Sequence, residues 1–165
     1  MTKVSIIIRS YNEEKHIARL LSGIVQQRFS DYEIILVDSG STDATLSIAK
    51  RYPVKIVHID SSEFSFGRAL NRGCKVANGE YLVFASAHVY PVFKDWLESL
   101  IKPFDDPNVA LVYGKQRGDE TTKYSEKMIF KRWFPGDSSV SDEEPFCNNA
   151  NAAIRKNVWE CIQYD

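Results

Sequence analysis

Short runs of consecutive apolar residues alternate along this chain with segments in which apolar residues recur at helical spacing. The runs are mostly apolar without a regular alternation of polar residues, so each predicted strand would be buried on both faces. They span Val4–Ile8, Glu33–Val37, Val54–Ile59, Tyr81–Ala85 and Val109–Tyr113. Strands of this kind, separated by helices, are typical of a parallel sheet covered on both sides. The sequence therefore predicts an α/β fold with a doubly wound, mostly parallel sheet and helices on both faces.

The helical segments lie between these strands. The first is predicted over Glu13–Gln27, with a capping box formed by Ser10 and Glu13 or, alternatively, a cap at Asn12. A second helix follows the polar turn at residues 38–43, where Asp43 is interpreted as its cap. Two more are predicted over Gly67–Ala77 and Phe93–Ile101.

The pattern changes after Gly114. Apolar residues at helical spacing predict a helix through Tyr124 and Trp133, a polar loop follows, and Asn151–Arg155 is predicted as one more short strand. The chain ends at Asp165 without a further predicted element. We therefore expect one structural domain, truncated at its C-terminus.

Composition narrows the class of protein. The 165 residues carry a formal net charge of −1, 44% are hydrophobic and 26% are charged, as is usual for a soluble globular domain. No apolar run approaches the length of a membrane span, and no long basic run indicates nucleic-acid binding. The three cysteines have no Cys-x-x-Cys spacing, so we interpret them as small buried side chains in a protein of a reducing, cytoplasmic compartment.

Polar residues follow three of the predicted strands. The segments are Arg9–Glu14, Asp38–Asp43 and Ser86–Pro91. Because ligands bind beyond the carboxyl ends of parallel strands, these segments mark the candidate site. The sequence contains no Gly-x-Gly-x-x-Gly after the first strand, no Walker P-loop and no Gly-x-Ser-x-Gly elbow. The remaining prediction is a nucleotide site built from side chains.

Four segments together resemble family 2 glycosyltransferases, which are inverting enzymes with the GT-A nucleotide-sugar fold. They are Val4–Glu14, Ile34–Asp43, Gly67–Gly73 and Ala77–Leu82. The segment Phe64–Asn71 also resembles a rhamnosyltransferase-like branch, and Asn148–Arg155 resembles the acceptor-side strand of the family.

The resemblance implies a transferase that moves a hexosyl or deoxyhexosyl group, with inversion, from a UDP- or dTDP-sugar to a hydroxyl of a glycan or lipid-linked acceptor. Cell-surface polysaccharide synthesis would be its setting, with no nucleic-acid partner and a location in the cytoplasm or at the inner membrane face. Residues 1–115 would bind the donor and residues 116–165 would begin the acceptor side. The alternative is a nucleotide-sugar binding module, or an inactive fragment that lacks the catalytic base.

The resemblance also implies roles for individual residues. Tyr11 would border the base, Asp38 would accept the imide N–H of uracil or thymine, and Arg68 would approach the diphosphate. Glu13 would contact the ribose or the donor loop, unless it only caps the first helix. Arg9 and Ser86 would also bind the nucleotide. Asn148 and Asn149 would lie on the acceptor side, unless they are only turn residues.

The chain departs from the family pattern after the fourth strand. Where the family carries Asp-x-Asp for a metal ion, this sequence has Ser86-Ala87-His88. His88 would hold Mn²⁺ or Mg²⁺, with Mn²⁺ better suited to imidazole, or would instead contact phosphate directly. No catalytic base is identified, since the carboxylates of 142–144 lie too early in the chain. We interpret His16 and His58 as structural residues.

Overall fold

The computed structural model describes residues 2–118, 120, 122–134, 136 and 149–165. Its six-stranded sheet has the order β3-β2-β1-β4-β6-β5. The strands β1 to β4 are parallel to one another, whereas β6 is antiparallel to β4 and to β5. The strands are β1 (Val4–Ser10), β2 (Tyr32–Asp38), β3 (Val54–His58), β4 (Tyr81–Ser86), β5 (Leu111–Tyr113) and β6 (Asn151–Arg155). The predicted doubly wound, mostly parallel sheet is confirmed.

Six α-helices connect these strands or follow them in the described ranges. They are α1 (Ile17–Val25), α2 (Thr45–Ala49), α3 (Phe66–Lys75), α4 (Trp96–Ile101), α5 (Tyr124–Trp133) and α6 (Lys156–Cys161). No helix among the described residues has both the length and the hydropathy needed to cross a bilayer.

Two hydrophobic layers cover the two faces of the sheet. Alternate side chains of β1 point into different layers: Ile6 and Ile8 pack in the first layer and Ile7 packs in the second. Helices α1, α2 and α4 pack in the first layer, and α3 and α6 pack in the second. The predicted burial on both faces is confirmed for β1, β2 and β4 and is wrong for the edge strands β3 and β5, whose side chains are intermediate or exposed. The carboxyl ends of the strands are the part of the sheet left open to a ligand.

The predicted start of the first helix is wrong. Ser10 is the last residue of β1 and therefore cannot cap the helix, which begins at Ile17 without a side-chain cap. The helix begins later than predicted because of contacts with residues distant in the sequence. The backbone N–H groups of Glu13 and Glu14 donate to the side chains of Thr45 and Asp43. These bonds hold residues 11–14 in a loop against the segment that follows β2.

The cysteines differ in exposure. Cys74 is fully buried and Cys161 is exposed, so the prediction of buried side chains is confirmed for the first and wrong for the second. Cys147 lies outside the described residues. Burial raises the pKa of the Cys74 thiol to about 12, which leaves almost no reactive thiolate at neutral pH.

We expect iodoacetamide at pH 8 to alkylate Cys161 in the folded protein and to alkylate Cys74 only after unfolding. Peptide mapping by mass spectrometry, with and without denaturant, measures both sites in one sample. Equal labelling of the two cysteines in the folded protein would contradict the burial of Cys74.

Candidate functional site

The carboxyl ends of four strands form one continuous edge. Ser10, Asp38 and His58 are register partners across β1, β2 and β3, while Arg9 pairs in register with Ser86 of β4. The fold thus brings together the three polar segments that the sequence singled out. The Ser10 hydroxyl is buried and has no hydrogen-bond partner among the described residues.

Reciprocal hydrogen bonds join the loops that follow β1 and β2. The Asn12 side chain accepts from the Thr42 N–H at 2.8 Å, and the Ser41 hydroxyl accepts from the Asn12 N–H at 2.9 Å. Likewise, the Glu14 carboxylate accepts from the Ala44 N–H at 2.9 Å. Asn12 has a positive φ of 52°, which asparagine tolerates better than most residues. We call this pair of loops, residues 11–14 and 39–45, the loop clamp.

Asp38 is fully buried at the base of the loop clamp. Its Oδ2 accepts from the N–H groups of Gly40 and Ser41, both at 3.0 Å, and its Oδ1 accepts from the Ser41 hydroxyl. The carboxylate therefore fixes the turn after β2, in which Gly40 has a φ of 95°.

Arg9 lies on the opposite face of β1, toward α3. Its guanidinium stacks on the Phe66 ring, 4.6 Å from the ring centroid. Burial lowers the pKa of Arg9, and among the described residues no carboxylate forms an ion pair with it. A partly buried arginine without a carboxylate partner suits an anionic ligand.

His88 lies beyond the end of β4 and faces the loop after β1. Its Nδ1 is 3.5 Å from the Glu13 carboxylate, and its ring is within hydrogen-bond distance of the Ser86 hydroxyl, 3.2 Å from Nε2. The imidazole is mostly exposed, whereas the Glu13 side chain is only 21% exposed. The structure thus pairs a metal-ligand type of side chain with a carboxylate across two strand ends.

The donor set at this point fits a divalent ion bound by few protein ligands. One imidazole and one carboxylate suit Mn²⁺ better than Mg²⁺, which prefers hard oxygen donors. In the described ranges no group of three His, Cys, Asp or Glu side chains is arranged to hold a metal. An ion here would therefore need oxygen ligands from a substrate as well.

The two remaining predicted nucleotide residues are exposed. The Tyr11 side chain is 59% exposed in the loop clamp, where a ring face is open to solvent. Arg68 lies in the first turn of α3, after the Ser65 hydroxyl that caps the helix by accepting from the Arg68 N–H. A surface cavity of about 280 Å³ is lined by Arg68 together with Ile59, Glu63, Asn71, Arg72 and Lys75.

On the predicted acceptor side, Asn149 accepts a hydrogen bond from the Tyr164 hydroxyl at 3.1 Å. Asn148 lies outside the described residues, as do the carboxylates of 142–144. The backbone of Tyr164 is in turn bound to the Asn71 side chain of α3, whose Nδ2 donates to the Tyr164 carbonyl at 2.6 Å. The Asn71 Oδ1 also accepts from Trp159 of α6 at 2.9 Å.

Two residues outside the predicted set make contacts that the sequence does not indicate. His58, which the sequence analysis interprets as structural, has a side chain that is 67% exposed and an Nδ1 that is 3.8 Å from Asp38 Oδ2. Its position at the end of a strand, like that of Asp38, was the available signal. Asn71 was read only as part of a motif, because nothing in the sequence indicates that residues 159–164 return to α3.

A sequence model described as glycosyl transferase family 2 matches residues 5–163 of the chain. Among the relatives, the poly(ribitol-phosphate) β-N-acetylglucosaminyltransferase TarS of Staphylococcus aureus is 30% identical over 124 residues, covering 72% of this chain and 22% of TarS. The O-antigen chain rhamnosyltransferase RfbN of Salmonella typhimurium is 28% identical over 176 residues, covering 96% of this chain and 54% of RfbN.

Solved structures share the fold. The mannosyltransferase PcManGT from Pyrobaculum calidifontis, in complex with GDP-Man and Mn²⁺, superposes with a TM-score of 0.77 at 23% identity, over 98% of this chain and 47% of that chain. TarS residues 1–349 in complex with UDP-GlcNAc superposes with a TM-score of 0.71 at 21% identity, over 96% and 47%. The chain therefore spans about half of each of these two structures.

Proposed function

The chain belongs to glycosyl transferase family 2, and on that premise we propose that the open sheet edge binds a nucleoside-diphosphate sugar for inverting transfer to an acceptor hydroxyl. The acceptor would be a glycan or a lipid-linked glycan in polysaccharide synthesis. The observation that carries the proposal is the convergence of Asp38, Arg9 and the His88–Glu13 pair at one edge of the sheet. They offer contacts for a base, a diphosphate and a cation within one site.

We assign the two faces of the edge to the two ends of the donor. Tyr11 and the loop clamp around Asp38 would border the nucleoside, with Glu13 beside the ribose. Arg9, Arg68 and Ser86 would surround the diphosphate on the α3 side. Asn149, linked to Tyr164, would lie on the acceptor side, together with Asn148.

The assigned charges suit the departure of a diphosphate. As the bond from the sugar to the diphosphate breaks, negative charge grows on the leaving oxygens, and prearranged cationic groups stabilise that charge. Arg9 is held in place by its contact with Phe66, so its charge is oriented before the donor arrives. Arg68 is the less constrained contributor, since its side chain is exposed and, within the described residues, its guanidinium makes only a 3.5 Å contact to the Glu63 carbonyl.

A divalent ion, when bound, would add positive charge to the diphosphate. His88 and Glu13 are the residues that would hold it, with Mn²⁺ favoured over Mg²⁺ by the imidazole.

Calorimetric titration of the chain with UDP, dTDP and GDP, each with Mn²⁺ and with chelator, tests this proposal. We expect Mn²⁺ to strengthen binding of at least one diphosphate by about tenfold or more, because a divalent ion that contacts phosphoryl oxygens adds at least about 1.4 kcal/mol of attraction. The His88→Ala variant should lose the Mn²⁺ effect and keep the affinity seen in chelator.

His16→Ala is the matched control, because His16 is an exposed histidine at the start of α1 and its replacement should change neither affinity. If none of the three diphosphates binds, the proposed donor site is wrong. If Mn²⁺ strengthens binding equally in His88→Ala, the assignment of His88 as metal ligand is wrong.

A further inference from the structure

Helix α5 belongs to neither of the two hydrophobic layers that cover the sheet. Among the described helices it is the one that contributes no buried residue. Its C-terminal end packs on the fold through Phe134, a buried ring that contacts Phe130 and, edge-on at 6.5 Å, Tyr113 of β5. The helix is thus attached at this end, and most of its side chains are exposed.

The exposed face of α5 combines large apolar side chains with cations. Four apolar side chains are between 46% and 78% exposed: Tyr124, Met128, Ile129 and Trp133. Positions 124 and 128, and positions 129 and 133, are about one turn apart, so they form two neighbouring rows on the helix surface. Arg132 continues the first row and Lys131 lies beside it, both exposed. Exposed apolar side chains grouped in this way mark an interaction surface.

The charge of this segment indicates which kind of partner it fits. Residues 123–133 carry four cations and one carboxylate, a formal charge of +3, whereas the whole chain carries −1. The carboxylate, Glu126, accepts at 3.2 Å from the backbone N–H of Lys123 at the start of the helix. A second copy of α5 would set these cations against one another, and like charges repel. A partner that carries negative charge and also takes up apolar side chains matches both properties of the face.

We propose that α5 binds the surface of an anionic lipid bilayer and lies in the plane of that surface. Interfacial helices combine Lys and Arg with Trp and other large apolar residues, since the apolar side chains enter the lipid and the cations meet the headgroups. The long stems of Lys and Arg also cover apolar surface while their charges stay in water. With ten residues, α5 is long enough to lie on a bilayer and too short to cross one.

Docking of α5 would bring the edge of the sheet that carries the candidate site toward the lipid. Tyr113, the last residue of β5, pairs with Ala152 of β6. The neighbouring residue of β6, Asn151, pairs with Ala85 near the carboxyl end of β4. Because Phe134 contacts Tyr113, the end of α5 lies beside the same edge. A lipid-linked acceptor would then be met at the surface in which it is anchored, and only this consequence rests on the proposed function.

Co-sedimentation with lipid vesicles measures the binding. One set of vesicles contains phosphatidylcholine alone, and the other contains phosphatidylcholine and phosphatidylglycerol in equal parts. We expect the chain to bind the anionic vesicles at least about tenfold more tightly than the neutral ones, because each Lys or Arg near an anionic surface adds about fivefold. Sodium chloride at about 0.5 M should remove most of this difference.

Two matched double variants test whether the cations of α5 are responsible. Lys131→Ala combined with Arg132→Ala should weaken binding to anionic vesicles by about tenfold or more. Lys50→Ala combined with Arg51→Ala is the control, because these residues form an exposed Lys-Arg pair just after α2. The control should bind the anionic vesicles as the parent chain does.

The apolar contribution has its own variant and its own signal. Ile129→Ser should weaken binding by about fivefold, whereas Ile162→Ser, at an isoleucine that is 75% exposed, should not change it. Trp133 is the exposed one of the three tryptophans, since Trp96 is half-buried and Trp159 is buried. We therefore expect anionic vesicles to shift the tryptophan emission to shorter wavelength, and Trp133→Phe to abolish the shift.

Each contrary result has a distinct meaning. Failure of the parent chain to bind anionic vesicles would overturn the membrane contact, and equal binding to neutral vesicles would overturn the role of the cations. Equal losses in the two double variants would overturn the assignment to α5. A dimer that Ile129→Ser dissociates, found by light scattering without vesicle binding, would assign the face to a second copy. Diphosphate titration should be the same in the Lys131→Ala, Arg132→Ala variant as in the parent chain, so a failure of the donor site is recognised separately.

Discussion

Replacing Asp38 by alanine is expected to weaken the binding of a nucleoside diphosphate by about 100-fold, which is the effect of losing hydrogen bonds to a charged group. The carboxylate accepts the N–H groups of Gly40 and Ser41 and the hydroxyl of Ser41, and these bonds shape the loop clamp. It also faces His58. Its removal therefore disturbs the turn and the proposed base contact together.

The same substitution is expected to lower the free energy of unfolding by about 2–4 kcal/mol, because three hydrogen bonds to a fully buried carboxylate are lost. Asp60→Ala is the matched control. Asp60 follows β3 and accepts from the N–H and hydroxyl of Ser62, but it is exposed. Calorimetric titration of both variants measures the affinity for the diphosphate, and chemical denaturation measures the free energy of unfolding. Asp38→Asn is included as the isosteric substitution. Full affinity in a folded Asp38→Ala protein would refute the assignment of Asp38 to the donor site.

The second large effect is expected for Asn71→Leu. The Asn71 side chain binds the Trp159 indole N–H at 2.9 Å and the N–H and carbonyl of Tyr164 at 3.2 and 2.6 Å. Leucine has a similar volume but makes none of these bonds, so we expect the free energy of unfolding to fall by about 2–4 kcal/mol.

Hydrogen exchange should show where this stability is lost. We expect faster exchange at residues 159–164 and unchanged exchange in β2, because Asn71 ties the C-terminal residues to α3. Asn108→Ala, which removes an exposed contact to Asp106, serves as the control. Unaltered exchange at residues 159–164 in Asn71→Leu would show that other contacts, such as that of Tyr164 with Phe84, hold the segment alone.

Sequence reasoning was strongest where burial determines structure. The mostly apolar strands predicted the parallel sheet, and β6 was predicted with its observed bounds, Asn151–Arg155. The position of the candidate site, at the carboxyl ends of the strands, was predicted from the parallel arrangement alone. These successes share one cause: the local pattern of apolar residues and the requirement that both faces be covered are both visible in the sequence.

The errors arose where distant segments meet. The expected capping box failed because the backbone of Glu13 binds Thr45 instead of Ser10. The proximity of His58 to Asp38 and the hydrogen bonds of Asn71 to Tyr164 were likewise not predicted. Polar contacts between segments far apart in sequence leave no periodic signal, so a single sequence does not reveal them.

The position of β6 between β4 and β5 has a consequence for the nascent chain. During synthesis β5 emerges well before β6, which is its only strand partner among the described residues, and β4 has one unpaired edge over the same interval. Exposed strand edges of this kind can pair with other chains. Formation of β6 at Asn151–Arg155 therefore pairs the open edge of β4 and gives β5 its partner in one step, and until then we expect that edge of β4 to be accessible to other chains.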